Sequence, residues 1–312
     1  MRPLVAVVHE SPPEVQAAYR AALDDVARLS FLSGASADTA AAVLGEATGL
    51  LTFFPQREIA CEPRFLAGIR FVQCLAAGRD RFPTDWFPAA AIAFNEGAAA
   101  LPVAEHAVAL VLAASKRLLQ QHSKLREGVF DQRRQNLRLR GSRALIIGLG
   151  SIGREVARLL SAFGVTVDGV NRSGKTTAPV NRCTGIDGLP DLIETADIIV
   201  VCVEANPGTA GLIDAELLAR MKASAILVNV ARAAVIVEDD LYAHLQRHPG
   251  FTACLDAWWI EPQYDGRFAT ARPFLSLPNV VGSPHNAGQV PGIITDLAVA
   301  AANKLRQALE GS

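Results

Sequence analysis

Three glycines, Gly148, Gly150 and Gly153, close the run Ala144-Leu145-Ile146-Ile147-Gly148-Leu149-Gly150-Ser151-Ile152-Gly153. An apolar strand enters them and a helical pattern leaves them, the layout of a phosphate-binding turn in a dinucleotide fold. Gly148 permits the tight turn out of the strand, Gly150 lets a pyrophosphate approach the backbone, and Gly153 lets the helix pack close on the sheet. The helix from Ser151 to about Phe163 turns the first N–H groups, those of Ser151 and Ile152 among them, and its positive dipole end toward the phosphates. Three more motifs follow in order: Asn229-Val230-Ala231-Arg232-Ala233-Ala234-Val235-Ile236-Val237, then Leu255-Asp256-Ala257-Trp258-Trp259-Ile260-Glu261-Pro262, then Ser283-Pro284-His285-Asn286-Ala287-Gly288. Each follows a strand-like run, so each falls at the carboxyl edge of a sheet, where open α/β sheets bind ligands.

These motifs need elements to hold them. The first hundred residues alternate strand and helix: a strand at Leu4–Val8, a helix from Pro12 to Leu29, short apolar runs at Gly49–Phe53 and Phe71–Leu75, and a further strand at Ala91–Phe94. This rhythm implies a parallel sheet covered by helices on both faces. A long helical pattern runs from Leu101 to about Arg126 and is expected to bridge two domains or lie in a dimer contact. The basic and polar run Lys116–Arg140 reads as a solvated surface. From Arg143 the rhythm restarts, with strands expected at Ala144–Leu149, Val165–Val170, Asp197–Val203, Ala225–Val230, Phe251–Ala257 and Asn279–Gly282. Six such strands make a full dinucleotide-binding sheet. The last helix, Ile293 to Leu309, is expected to return to the first domain. The fold class that follows is α/β, a Rossmann dinucleotide-binding domain over residues 101–287 with a discontinuous, flavodoxin-like α/β substrate domain over 1–100 and 288–312.

A chain of 312 residues with formal net charge −1 suits two domains and offers no electrostatic case for nucleic acid. No apolar run reaches membrane-spanning length, since Glu105 and His106 break Val103–Ala114. The N-terminus enters a strand directly, with no signal-peptide layout. Five scattered cysteines form no CxxC pair, so buried reduced thiols and a cytoplasmic setting are expected. No metal is called for.

Taken together, GLGSIG, NVAR, DAWWIEP and SPHNAG resemble the D-isomer-specific 2-hydroxyacid dehydrogenase family over nearly the whole chain, including glyoxylate/hydroxypyruvate reductases. The stretch from Asn95-Glu96-Gly97 through Val103-Ala104-Glu105-His106 resembles that family's interdomain segment. The resemblance implies that Arg232 holds the substrate carboxylate and polarises the adjacent keto oxygen, for which a planar guanidinium is suited. It implies that His285 is the general acid/base, a role open to imidazole near neutral pH. Glu261 would pair with that ring and fix its orientation, and Asp256 would lie by the nicotinamide carboxamide. Backbone donors for the substrate carboxylate would come from the loop Leu75-Ala76-Ala77-Gly78-Arg79-Asp80, with Ala76, Ala77 and Gly78 the small residues that let an anion approach. Trp86, Trp258 and Trp259 would line the pocket or serve in packing.

NAD-selective relatives end the second strand with an acid for the ribose 2′-hydroxyl. Here Asn171, 18 positions past Gly153, is neutral, and Arg172, Ser173 and Lys175 add positive charge and a donor suited to a 2′-phosphate. Asp168 falls too early, within the strand. NADP is therefore expected over NAD, with a small 2-oxo acid as substrate and a homodimer as the assembly. Some features depart from the family: Ala233 replaces a glycine, Cys202–Pro207 lacks the usual proline placement, and Trp258-Trp259 is bulky. Oxidation of formate or phosphite is the second enzyme reading; formate relatives carry Gln at the Glu261 position, so Glu261 argues against formate. A phosphoglycerate enzyme with an added effector domain is disfavoured by a chain ending at Ser312. A cofactor-sensing binding protein is disfavoured by the full Arg232, Glu261 and His285 set.

Overall fold

Short, fully buried runs such as Ile198–Val201 (IIVV) are what parallel strands covered on both faces look like. The computed structural model describes residues 2–311, and within it these runs build two separate parallel sheets. The chain divides into two compact units, Met1–Ala99 with Val290–Ser312, and Ala100–Gln289.

The first unit begins with β1 (Leu4–Val7), α1 (Pro13–Leu23), β2 (Arg28–Phe31), α2 (Ala37–Glu46), β3 (Gly49–Thr52), α3 (Pro55–Glu58), β4 (Phe71–Cys74) and β5 (Ala91–Ala93). Its strand order is β2-β1-β3-β4-β5, all parallel, which is the flavodoxin-like order. The helix expected from Pro12 to Leu29 stops at Leu23, and Arg28–Phe31 is a strand instead. The chain turns at Asp24–Ala27, where the N–H groups of Val26 and Ala27 both return to the Leu23 carbonyl.

The second unit runs α4 (Ala100–Ser115), α5 (Leu118–Arg126), β6 (Arg143–Ile147), α6 (Ser151–Ala162), β7 (Thr166–Val170), β8 (Arg182–Thr184), α7 (Leu189–Ile193), β9 (Ile198–Val201), α8 (Ala215–Arg220), β10 (Ile226–Asn229), α9 (Glu238–Arg247), β11 (Thr252–Leu255), α10 (Pro262–Asp265) and β12 (Val280–Gly282). The long helix expected from Leu101 to Arg126 is two helices, because Arg117 adopts left-handed backbone (φ 51°) between them. The buried face of α4 packs on α6, β10 and β11 of its own unit, so its small residues are accounted for there.

The sheet is seven-stranded, one more than expected, in the order β12-β11-β10-β9-β6-β7-β8. The added strand is β8, a three-residue edge. Counted from β6, this is the dinucleotide-binding order with an extra strand, and its switch point lies between β6 and β9. A final helix, α11 (Ile293–Glu310), belongs to the first unit. There Ala298, Ala301, Ala302 and Leu305 join Val5, Val7, Leu51 and Leu75 in one core.

Candidate active site

The glycine turn sits at the end of β6, beside the switch point. Gly148 has φ 98°, and a side-chain carbon there would lie 2.8 Å from the Cys202 backbone. At Gly153 such a carbon would meet the Gly148 carbonyl oxygen at 1.9 Å, so glycine is what lets α6 start against the strand. Gly150 differs from both. It is exposed, and a carbon built on it meets nothing within 4 Å. Gly150 is the N-cap of α6, and in the first turn that follows Ser151 and Ile152 are half-buried. The leading N–H groups of a helix have no intrahelical partner, so these residues fit the pyrophosphate of a dinucleotide.

Beyond β7 the loop is tied to itself. Asn171 Nδ2 donates to the Lys175 carbonyl at 2.7 Å. Ser173 Oγ donates to Asn171 Oδ1 at 3.2 Å or to the Lys175 carbonyl at 3.1 Å. Arg172, Ser173 and Lys175 are exposed. Asp168, the competing acid, is buried and consumed within the sheet by Arg143 and by Asn181 Nδ2 at 2.9 Å.

Three neighbouring strands carry the remaining motifs to one edge. Parallel neighbours lie about 4.8 Å apart, so the turns after β10, β11 and β12 are close by construction. Asn229, at the end of β10, accepts the Ala231 N–H and donates to the Arg232 carbonyl at 2.9 Å, holding the turn that presents Arg232. Ala233, where a glycine is usual, is buried and has no positive φ. Its methyl group therefore sits on ordinary backbone, and the substitution leaves the turn intact.

After β11, Glu261 is 4% exposed and accepts the Trp258 N–H at 2.8 Å. After β12, His285 brings Nδ1 to 2.9 Å from both Glu261 carboxylate oxygens. Sequence reasoning missed Gln263, whose Nε2 donates to Glu261 Oε2. An amide two residues past the acid, inside α10, gave no signal. With Nδ1–H given to Glu261, the imidazole can exchange a proton only through Nε2.

Asp256 lies 1% exposed behind this turn. It accepts Ser283 Oγ–H at 2.6 Å and the N–H groups of Asn286 and Ala287, each at 3.3 Å. Its observed contacts are thus internal. The tryptophans make packing contacts. Trp258 donates Nε1–H to the Ser283 carbonyl at 2.8 Å and meets Phe268 edge-on. Trp259 stacks on Phe274 and donates to the Ile236 carbonyl. Trp86 packs, half-buried, in the first unit's core. In that unit the turn after β4 leaves Ala77 exposed and Ala76 and Gly78 half-buried, while Arg79 pairs with Glu96 and lies over the Phe94 ring.

Residues 108–287 match the sequence profile of the D-isomer specific 2-hydroxyacid dehydrogenase, NAD binding domain, over more than half of the chain. The chain belongs to that family. A D-3-phosphoglycerate dehydrogenase of Methanocaldococcus jannaschii is 32% identical over 69% of the chain and 40% of its own length. A hydroxypyruvate reductase of Thermotoga maritima is 34% identical over 61% of the chain and 60% of its own length. The matched stretch thus spans about two-fifths to three-fifths of these relatives. A D-lactate dehydrogenase of Treponema pallidum shares the fold, with TM-score 0.80 over 100% of this chain and 98% of that one at 21% identity. Among the described residues no helix is long and apolar enough to cross a membrane.

Proposed function

We propose that this protein reduces a small 2-oxo acid of the glyoxylate or hydroxypyruvate kind to the D-2-hydroxy acid, with NADPH as the preferred donor. The observation that carries the reading is the His285–Glu261 pair at 2.9 Å, set at the same sheet edge as the glycine turn and Arg232. A bound reduced nicotinamide supplies the hydride. Gly148, Gly150, Ser151, Ile152 and Gly153 would hold the pyrophosphate, and Asn171, Arg172, Ser173 and Lys175 the 2′-phosphate. Arg232 would grip the substrate carboxylate with two N–H bonds and draw charge toward the keto oxygen. His285, as imidazolium, would give its Nε2 proton to that oxygen while Nδ1–H stays with Glu261. Asp256 remains a candidate for the carboxamide side of the cofactor through acceptor capacity beyond its internal bonds. In the first unit, the N–H groups of Ala76, Ala77 and Gly78 are proposed donors to the substrate carboxylate.

The exposed loop cations support NADPH, because a 2′-phosphate carries roughly −1.5 to −2 charge and Asp168 is already spent. A homodimer is proposed as well. Leu118, Leu119 and Leu125 of α5 and Val129 and Phe130 just beyond it are all exposed, Phe130 at 74%, apolar surface that a subunit contact would cover. The test is a steady-state screen of the purified protein against glyoxylate, hydroxypyruvate and pyruvate with each cofactor, read by loss of reduced-nicotinamide absorbance. Turnover of at least one oxo acid, faster with NADPH, is expected. No turnover with any of them refutes the reaction, and kcat/KM about tenfold better with NADH refutes the cofactor preference.

A further inference from the structure

His106 has no part in the chemistry above, yet it reaches toward it. Its Nε2 lies 3.0 Å from Ser283 Oγ and 3.5 Å from Asp256 Oδ1. Ser283 donates its hydroxyl proton to Asp256 Oδ1 at 2.6 Å, so the hydroxyl oxygen is left to accept from His106 Nε2–H. Asp256 in turn takes the N–H groups of Asn286 and Ala287. One connected set of hydrogen bonds therefore links α4 to the backbone on both sides of His285.

That backbone needs holding. His285 has φ 51°, and Arg117 is the one other non-glycine described with a positive φ. Left-handed backbone is costly for an L-residue and persists only where the surroundings over-determine it. The surroundings here do so. Before His285, the Ser283 N–H donates to the Leu255 carbonyl at 3.0 Å and the Ser283 carbonyl accepts Trp258 Nε1–H at 2.8 Å. The Ser283 hydroxyl is held between His106 and Asp256, and past His285 two successive N–H groups end on the same carboxylate. A buried carboxylate that loses one donor is left under-compensated for its desolvation, a cost that favours rearrangement of the turn carrying its other donors.

We propose that His106 and Ser283 are positioning residues, which act through Asp256 to fix the Ser283–Ala287 turn and so aim the His285 ring at Glu261. The proposal rests on His285 as the proton donor of the proposed reaction. It predicts that His106→Ala lowers kcat about tenfold with KM for the oxo acid nearly unchanged, because the proton donor is misplaced while Arg232 is not. His106→Gln, which keeps an N–H within reach of Ser283 Oγ, recovers most of the rate. Ser283→Ala matches His106→Ala and guards against a folding failure of the latter. The His285 Nδ1 proton, read by NMR in the substrate-free protein, moves upfield or broadens in both alanine variants and stays in place in His106→Gln. Wild-type kcat and an unmoved Nδ1 resonance in His106→Ala overturn the proposal, as does a His106→Gln protein as impaired as His106→Ala. The resonance is independent of turnover. A wild-type protein that reduces no oxo acid, but whose Nδ1 signal moves on His106→Ala, retains the clamp and loses only the reaction assigned to it.

Discussion

Alanine placed at Gly150 and at Gly153 should separate folding from cofactor binding. The two glycines are three residues apart, yet their surroundings are opposite. At Gly153 a new methyl carbon lands 1.9 Å from the Gly148 carbonyl oxygen, so strand and helix must part by about 1 Å to reach the closest tolerated contact. Overpacking of this kind costs about 1–3 kcal/mol or more, and the about 1 kcal/mol gained in helix propensity does not offset a clash with a backbone carbonyl. At Gly150 nothing lies within 4 Å, and φ −72° with ψ −160° is ordinary backbone for alanine. The unfolded-state gain of about 0.4–1 kcal/mol and the loss of a favourable N-cap residue, about as large, nearly cancel. Thermal unfolding with and without NADPH reads both effects. Gly153→Ala should melt roughly 4–10 °C lower. Gly150→Ala should melt with the wild type alone but lose most of the rise that cofactor at 100 times Kd gives the wild type, about 2.7 kcal/mol, since its methyl group would occupy the space proposed for the pyrophosphate. A Gly150→Ala protein that keeps the full cofactor-induced rise would refute the placement of the phosphates. A Gly153→Ala protein that melts with the wild type would refute the packing argument.

Further outcomes follow from the same geometry. Arg232→Lys should cut kcat/KM about 10²-fold or more, because a point charge replaces a two-pronged donor; an effect below about tenfold in steady-state assays would remove Arg232 from the site. Arg172→Ala with Lys175→Ala should lower kcat/KM for NADPH about 10–100-fold and leave NADH within about twofold, so equal losses for both cofactors would contradict the 2′-phosphate assignment. Burial, reinforced by His248 and Arg247, pushes His244 down to about 4, and its Nε2 has no hydrogen-bond partner among the described residues. The unfolded chain therefore takes up this proton first as pH falls from about 6.5, so the stability His244 lends as a neutral ring is present above that pH and is lost progressively down to about 4, by about 1–3 kcal/mol. Denaturant melts at stepped pH should show this slope, flattened in His244→Leu; an unchanged slope would place its source elsewhere. Phe130→Glu with Leu125→Glu should convert a dimer to monomer by light scattering, and a wild-type monomer would dispose of the dimer outright.

Much of the architecture was legible because buried parallel strands announce themselves. β6, β10 and β11 are apolar runs closed by motif residues, β9 is an apolar run without one, and their order follows from the βα rhythm. Edge strands were less visible. β2 (Arg28-Leu29-Ser30-Phe31) carries a helix-compatible spacing that continues α1, and β8 (Arg182-Cys183-Thr184) is three residues with little apolar signal. The break at Arg117 had no proline or glycine to mark it, only a backbone reversal that any long pattern conceals. At the site, the Glu261–His285 contact could be anticipated from their motifs, whereas Gln263 and the internal bonding of Asp256 could not, because which donors meet a carboxylate depends on how turns after separate strands interleave. His106 was hidden for a different reason: 177 positions separate it from Ser283, and no local pattern encodes a contact at that range.

The apolar face formed by Val5, Val7, Leu51 and Leu75 is completed by Ala298, Ala301, Ala302 and Leu305 of α11, which a ribosome makes only after the whole Ala100–Gln289 unit. At about 5–20 residues per second, the nascent amino-terminal sheet waits about ten to forty seconds for the helix that seals it, while the uninterrupted second unit is free to fold as it emerges. During that interval the second unit has all of its own sequence while the first still lacks the helix that completes its core.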